Sequence, residues 1–184
     1  MQSLSTSRLH LRTYKMTDEK AVYEVINSPD IFATTLSIPY PYPKEQIKIW
    51  IHFTVKNCLY KRGYEYGIFS NEGNYIGNVG IVNIDWLNNS GEITYFIGTA
   101  YWGQGYATEA VQGILTFAFE KLHIERIQGR CMKENMASLK VMQKCGFRYE
   151  GLARHEVIKC GEYRDIWHMA ILREDYYMQK RGTK

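Results

Sequence analysis

Apolar residues in this chain follow two rhythms, every second position in some stretches and every third or fourth in others. These are the periods of strand and helix. Leu9, Leu11 and Thr13 alternate with His10 and Arg12, which predicts an opening strand over about residues 8–14. Thr17 is placed to cap a short helix carrying Ala21, Val22, Val25 and Ile26, ended by Asn27-Ser28-Pro29. A second helical piece is expected over 31–36. Prolines at 39, 41 and 43 hold Ile38–Pro43 extended, as a connector or as one wall of a cleft. Ile47, Trp50, Ile51, Val55 and Leu59 predict a long amphipathic helix ending near Gly63. Tyr64–Ser70 and Tyr75–Ile84 read as strands joined by the turn chemistry of Asn71-Glu72-Gly73-Asn74. A polar turn over 85–91 leads to a third strand, Ile93–Ile97.

That third strand runs into a turn holding Gly98, Gly103 and Gly105, and Ala107, Ala110, Val111, Ile114, Leu115 and Ala118 then repeat at helical spacing. A strand, a glycine-rich turn and a helix start together form a device for holding phosphate. Glycines allow close backbone approach, and the first-turn amides and the helix dipole face the anion. A plain strand-to-helix turn has the same local pattern. Arg126–Lys133 follows as a strand and Asn135–Lys144 as a helix closed by Gly146. Phe147–Val157 and Trp167–Leu172 are the last strands, joined across Lys159-Cys160-Gly161-Glu162. The expected fold class is α/β (α+β): a single mixed, largely antiparallel sheet flanked by helices. It forms one domain over 1–184, with its core over about 8–175 and a short, solvated basic tail at Lys180, Arg181 and Lys184.

Composition adds exclusions. The net charge of +4 is small and dispersed, so nothing resembles a nucleic-acid footprint. Cys58, Cys131, Cys145 and Cys160 form no Cys-x-x-Cys pair and the five histidines show no ligand spacing, so no metal is expected. Scattered cysteines suit reduced thiols in a cytoplasmic protein. No run reaches membrane-span length, and residues 1–8 lack the apolar centre of a signal peptide.

Two blocks carry a resemblance. Tyr-Trp-Gly-Gln-Gly-Tyr-Ala-Thr-Glu-Ala at 101–110 and Asn-Met-Ala-Ser-Leu-Lys-Val-Met-Gln-Lys-Cys-Gly-Phe at 135–147 fall in the order and separation of the GCN5-related N-acetyltransferase superfamily. More narrowly the chain resembles the branch of ribosomal-protein N-terminal acetyltransferases of the RimJ and RimL type, along nearly its whole length. The superfamily's phosphate loop begins with Gln or Arg, where this chain has Trp102; backbone amides do most of the holding, so the departure costs little.

The resemblance implies acetyl-coenzyme A lying where two parallel strands, Ile93–Ile97 and Arg126–Lys133, splay apart. It implies cofactor contacts from Phe96, Ile97, Trp102, Gly103, Gln104, Gly105, Tyr106, Ala107, Thr108, Asn135 and Ser138. The acceptor would be an amine, a protein N-terminus or a small molecule such as a polyamine or amine antibiotic. Pairing of two chains follows from the branch alone.

Acetyl transfer to an amine needs a proton acceptor, a steadied oxyanion and a stabilised thiolate. Glu92 is the candidate base, against the reading of a surface carboxylate at a strand end. Many relatives carry a tyrosine acid where this chain has Met142. Ser138 is the substitute candidate, against the reading of a residue that helps cap its helix. A backbone amide at Phe96 or Ile97 would face the oxyanion. Glu109, in a helix first turn, reads as structural. Tyr40, Tyr42, Trp86 and Trp167 are expected to line the acceptor side, with Asp85, Glu92 and Glu162 attracting a cation. Cys131 and Cys145 read as inert, which favours direct transfer in a ternary complex. The missing tyrosine leaves a non-catalytic coenzyme A-binding module as a rival. A dinucleotide-dependent oxidoreductase fails on topology.

Overall fold

In the computed structural model, which describes residues 3–182, the two rhythms become a sheet of eight strands with helices on both faces. The strands are β1 (Leu4–Ser5), β2 (Leu9–Arg12), β3 (Tyr64–Ser70), β4 (Tyr75–Asp85), β5 (Ser90–Ile97), β6 (Arg126–Met132), β7 (Arg148–Lys159) and β8 (Glu162–Leu172). Their spatial order is β1-β2-β3-β4-β5-β6-β8-β7. Four neighbouring pairs joined by turns or short returns (β1–β2, β3–β4, β4–β5 and β7–β8) are antiparallel, as are β2 with β3 across the α1–α3 excursion and β6 with β8, whereas β5 and β6 run parallel. The helices are α1 (Glu19–Ile26), α2 (Pro29–Thr34), α3 (Gln46–Leu59), α4 (Tyr106–Glu120), α5 (Met136–Lys144) and α6 (Arg173–Gly182).

Strand alternation builds one core on each face of the sheet. Tyr64, Tyr66 and Ile68 of β3 face α4 with Ile93 and Ile97 of β5, meeting Ile114, Leu115 and Phe117. Tyr64 meets Phe117 edge-on at 5.2 Å between ring centroids. On the other face Phe69, Tyr75 and Phe96 meet Val22, Ile26, Ile31, Ile47 and Ile51 from α1 to α3. Each fully buried Ile or Leu contributes about 1.5–3 kcal/mol.

Several ends differ from expectation, each for a local reason. The entry to α1 is organised by Asp18 instead of Thr17. Its carboxylate accepts from the Lys15 amide at 2.8 Å and takes the Arg12 guanidinium as a fork at 2.8 and 2.9 Å. A 3-10 turn over Met16–Asp18 precedes the helix. Ser28 caps α2, whose first residue is Pro29, so this helix sits two residues earlier than expected. β8 begins at Glu162, five residues before the expected Trp167, because the polar run 162–165 still pairs with β7. Cys160 and Gly161, both at positive φ, make the tight turn between them.

The basic C-terminal stretch is helical where a solvated tail was expected. Asp175 is buried and pairs with Arg148, Tyr176 stacks on Phe119, and Lys180 pairs with Glu120. Lys184 lies outside the described residues.

Candidate active site

The parallel pair is short. β5 and β6 are in register from Ser90–Arg126 to Glu92–Gln128, and no pairing continues beyond that point. From Ile93 onward the two strands diverge and leave a notch. A cleft of about 970 Å³ passes through it. On one side it reaches Gly103, Gly105, Tyr106, Ala107 and Thr108; on the other it runs under α1–α3 past Ile31, Ile38, Tyr42 and Trp50.

Local chemistry shapes the glycine loop. Gly103 and Gly105 have φ of 75° and 82°, in the left-handed region that other residues avoid. Gly105 is the residue before α4, and the first intrahelical bond runs from the Glu109 amide to the Gly105 carbonyl. The amides of Tyr106, Ala107 and Thr108 therefore have no partner within the helix and form an anion cradle. Arg8 flanks it: its guanidinium lies 4.4 Å from the Tyr106 ring centre and donates to the Gln104 carbonyl at 3.1 Å. Lys140 and Lys144 line the cleft from α5. These cations were missed because they lie scattered at 8, 140 and 144.

Glu109 locks the loop's underside, in keeping with a structural role. It accepts from Thr6, Ser7, the Arg8 amide and the Arg8 side chain at 2.6–3.0 Å. Burial raises its pKa, but those hydrogen bonds outweigh the rise and hold it at about 2. Trp102 is half-exposed and folds back on the end of β5, its indole N–H donating to the Ile97 carbonyl at 2.6 Å. Gln104 is exposed, donates to the Ala100 carbonyl, and stays outside the cleft wall.

Across the notch, Asn135 caps α5. Its Oδ1 accepts from the Ser138 amide at 3.0 Å and its Nδ2 donates to the Thr34 carbonyl at 2.8 Å. Lys159 donates to the Phe32 and Thr35 carbonyls, both at 2.6 Å, and sits over the Phe32 ring. Together they pin the segment after α2 as a roof over the cleft. Capping thus falls to Asn135, and the Ser138 hydroxyl turns to Tyr95, 2.8 Å from its phenol oxygen. Burial, only partly offset by Ser138, raises the Tyr95 pKa, so the phenol stays protonated and can donate. The hydroxyl group absent at buried Met142 is therefore present nearby from β5.

Glu92 faces the cleft but is engaged. Arg130 donates to it at 3.0 Å and Asn83 at 3.1 Å. Arg130 also pairs with Glu156, which contacts His168. Missed by the sequence reading is Glu65, on β3. It lines the cleft, and its recorded partner among the described residues is the Asn78 side chain at 3.2 Å. Burial pushes its pKa up to about 7.

Tyr40 and Trp86 are corrected by the structure, since neither lines the cleft. Tyr40 rests 6.4 Å from Phe32 with its ring half-exposed, and the Trp86 indole donates to the Lys61 carbonyl at 2.7 Å. Trp167 packs edge-on against Tyr149, also away from the cleft. Asp85 caps its own turn through the Leu87 and Asn88 amides, and Glu162 pairs with Arg164. Tyr42 lines the cleft as expected. Burial raises Cys131 to about 11 and Cys145 to about 12, so neither is a thiolate near neutral pH.

The family model of the GNAT acetyltransferase domain matches residues 8–148. The chain belongs to that family. Among curated relatives, the uncharacterised N-acetyltransferase YnaD of Bacillus subtilis is 31% identical over 94% of this chain and 98% of its own length. The spermidine N(1)-acetyltransferase of Vibrio cholerae is 24% identical over 92% of this chain and 96% of its own. A solved structure of RimL, a ribosomal L7/L12 alpha-N-protein acetyltransferase in complex with coenzyme A, superposes with a TM-score of 0.86. It is 20% identical and covers 93% of this chain and 98% of that one. GNAT membership makes the protein an N-acetyltransferase that uses acetyl-coenzyme A.

The residues present fit that cofactor. The free amides at 106–108, the cations at 8, 140 and 144 and the splayed strands match phosphates at one end and an extended arm at the other. Bound there, acetyl-coenzyme A supplies the acetyl thioester.

Proposed function

We propose that this N-acetyltransferase acetylates the N-terminal amine of a protein or peptide, in the manner of the RimJ and RimL branch, by direct transfer in the cytoplasm. One observation carries the reading: a single cleft connects the phosphate loop, the β5–β6 notch and an apolar groove walled by Ile26, Ile31, Ile38, Tyr42 and Trp50. Donor and acceptor can meet there with no covalent relay, and the buried thiols are poorly suited to serve as one. Support for the cytoplasm comes from four free cysteines, three of them buried.

In this reading Gly103, Gly105, Tyr106, Ala107, Thr108 and Asn135 hold the cofactor, while Phe96 and Ile97 offer backbone to its arm. Ser138, backed by the Tyr95 phenol, faces the departing sulfur. A serine hydroxyl is too weak an acid to donate alone; a hydrogen-bonded Tyr–Ser pair passes a proton or stabilises the thiolate.

A second reading, a small cationic amine as acceptor, is favoured by the two carboxylates in the groove, Glu65 and Glu92. The test incubates the enzyme and acetyl-coenzyme A with an equimolar mixture of spermidine, an aminoglycoside and short peptides with free N-termini. Mass spectrometry then locates the acetyl group. Peptide α-amines acetylated first support the proposal; acetyl on spermidine or the aminoglycoside alone overturns it.

A further inference from the structure

We propose that Glu65 receives the ammonium of the acceptor and takes its proton, and that this selects an α-amine over an alkyl amine. The inference rests on the acetyltransferase reading and names the chemistry of its acceptor.

The position is built for an unpaired carboxylate. Glu65 alternates with Tyr64 and Tyr66, whose rings face α4, so its own side chain points to the α1–α3 face and into the cleft. It lies opposite Gly80, and Gly80 lies opposite Thr94 of β5. A Cβ at Gly80 would come within 2.7 Å of the Glu65 Cγ and 2.6 Å of the Tyr64 carbonyl, so the glutamate side chain needs the missing Cβ to lie across β4. From above β4 the carboxylate is one strand spacing, about 5 Å, from β5, whose far edge borders the notch. An amine or one bridging water spans that gap.

The surroundings orient Glu65 without neutralising it. The Asn78 side-chain Nδ2 donates to it, and Asn78 Oδ1 accepts from the Tyr14 phenol at 2.8 Å, itself 3.1 Å from the Tyr75 phenol. Burial raises the pKa of both phenols, and Tyr75 raises that of Tyr14 further, so they stay neutral. Gln46, Tyr42 and Trp50 face the groove from α3 and the loop before it. The other charged residues lining the cleft are Glu92 and Arg130, which pair with each other, and Lys140 and Lys144 on α5. Among the described residues no Lys, Arg or His ion pair reaches Glu65. A half-buried carboxylate with no cation of its own is a receptor for one brought by substrate.

The proton balance is simple. One proton passes from the acceptor ammonium to the Glu65 carboxylate, directly or through a water. The freed lone pair forms the C–N bond as the C–S bond breaks, and the second proton leaves with the sulfur by way of Ser138 and Tyr95. Glu65 returns its proton to solvent through the cleft. A carboxyl titrating at about 7 is matched to an α-ammonium near 8, an uphill transfer of about tenfold. An alkylammonium near 10.4 costs about a thousandfold or more. With its pKa at about 7, Glu65 is ionised above neutrality, so the rate should rise through pH 7 as it loses its proton.

The experiment compares wild type with Glu65→Gln and Glu65→Asp, using a tripeptide with a free N-terminal serine and n-butylamine as acceptors from pH 5.5 to 9. Glutamine can still accept from Asn78, and circular dichroism together with coenzyme A affinity checks that each variant is folded. For wild type a rising limb in kcat/KM near pH 7 is expected, with the tripeptide preferred at least tenfold. Glu65→Gln should lose the limb and about 100-fold in kcat/KM while keeping coenzyme A affinity. Infrared difference spectra, which need no turnover, should show a protonated-carboxyl band that titrates near 7 and vanishes in Glu65→Gln. An active wild type whose profile survives Glu65→Gln, or a band titrating near 4.5, overturns the role of Glu65. A preference for n-butylamine overturns the α-amine selection. A wild type that binds coenzyme A and releases no thiol with either amine overturns the transferase reading itself.

Discussion

Replacing Glu65 by glutamine should make the protein more stable above neutral pH. Burial raises this carboxyl from an ordinary 4.5 to about 7, so the folded state prefers its protonated form. For an acid raised on folding, the native state binds the extra proton. Stability from this group is therefore fully present below pH 4.5, declines between 4.5 and 7, and is gone above. Each pH unit in that window corresponds to about 1.4 kcal/mol, so the whole loss is about 3 kcal/mol. Glutamine has no proton to lose and keeps the Asn78 contact. Urea unfolding of both proteins at pH 5 and pH 8 isolates the effect, because other titrations cancel in the difference. The variant should gain on wild type by most of that 3 kcal/mol between the two pH values, a melting-temperature gain of roughly 5–10 °C for a chain of this size. Parallel pH dependences for the two proteins would refute the desolvated, unpaired carboxylate.

Four further substitutions test the rest of the site. Gly105→Val places a β-branched residue at a φ of 82°, straining the loop by about 1–2 kcal/mol; calorimetry should show coenzyme A binding at least tenfold weaker, and unchanged affinity would remove the loop from the cofactor site. Ser138→Ala and Tyr95→Phe should each lower kcat by about 10-fold or more with little change in coenzyme A affinity; the double variant should lose little beyond either single one if the two hydroxyls act as a unit, and multiplying losses would argue against the pair. Glu109→Gln should destabilise the fold by about 1–3 kcal/mol at pH 7, since four donors from Thr6–Arg8 lose a charged acceptor. Glu109 is held low, so its contribution is present above about 4.5 and fades as pH falls toward 2. A chemical denaturation series over that window that leaves the two proteins equal would contradict this.

What the sequence revealed was local. The phosphate loop was legible because Gly103 and Gly105 lie within three residues of each other before a helical run, and the hairpins because their turns carry Asn and Gly. α6 was hidden because its burial rests on Tyr176 and Asp175 amid charges that read as a solvated tail. The first half of β8 was hidden because 162–165 is polar on both faces. At the site, Glu92 was visible from its position on the central strand, but its engagement by Arg130 depends on β6, 38 residues away. Glu65 gave no signal at all: its partner comes from across a hairpin, and its burial comes from loops earlier in the chain. Tyr95 and Ser138 meet only because β5 and α5 flank the same notch, while Tyr40 and Trp86 showed that an aromatic near a cleft in sequence need not face it.

The central claim is that one cleft brings an acetyl thioester to a primary amine. Its most direct measurement is release of coenzyme A thiol from acetyl-coenzyme A, followed with and without peptides carrying free Ser, Ala or Met N-termini, in wild type and Gly105→Val. Amine-dependent release by wild type, sharply reduced in the variant, is the predicted result. No release above the amine-free rate with any peptide, polyamine or aminoglycoside, from an enzyme shown separately to bind coenzyme A, would contradict it.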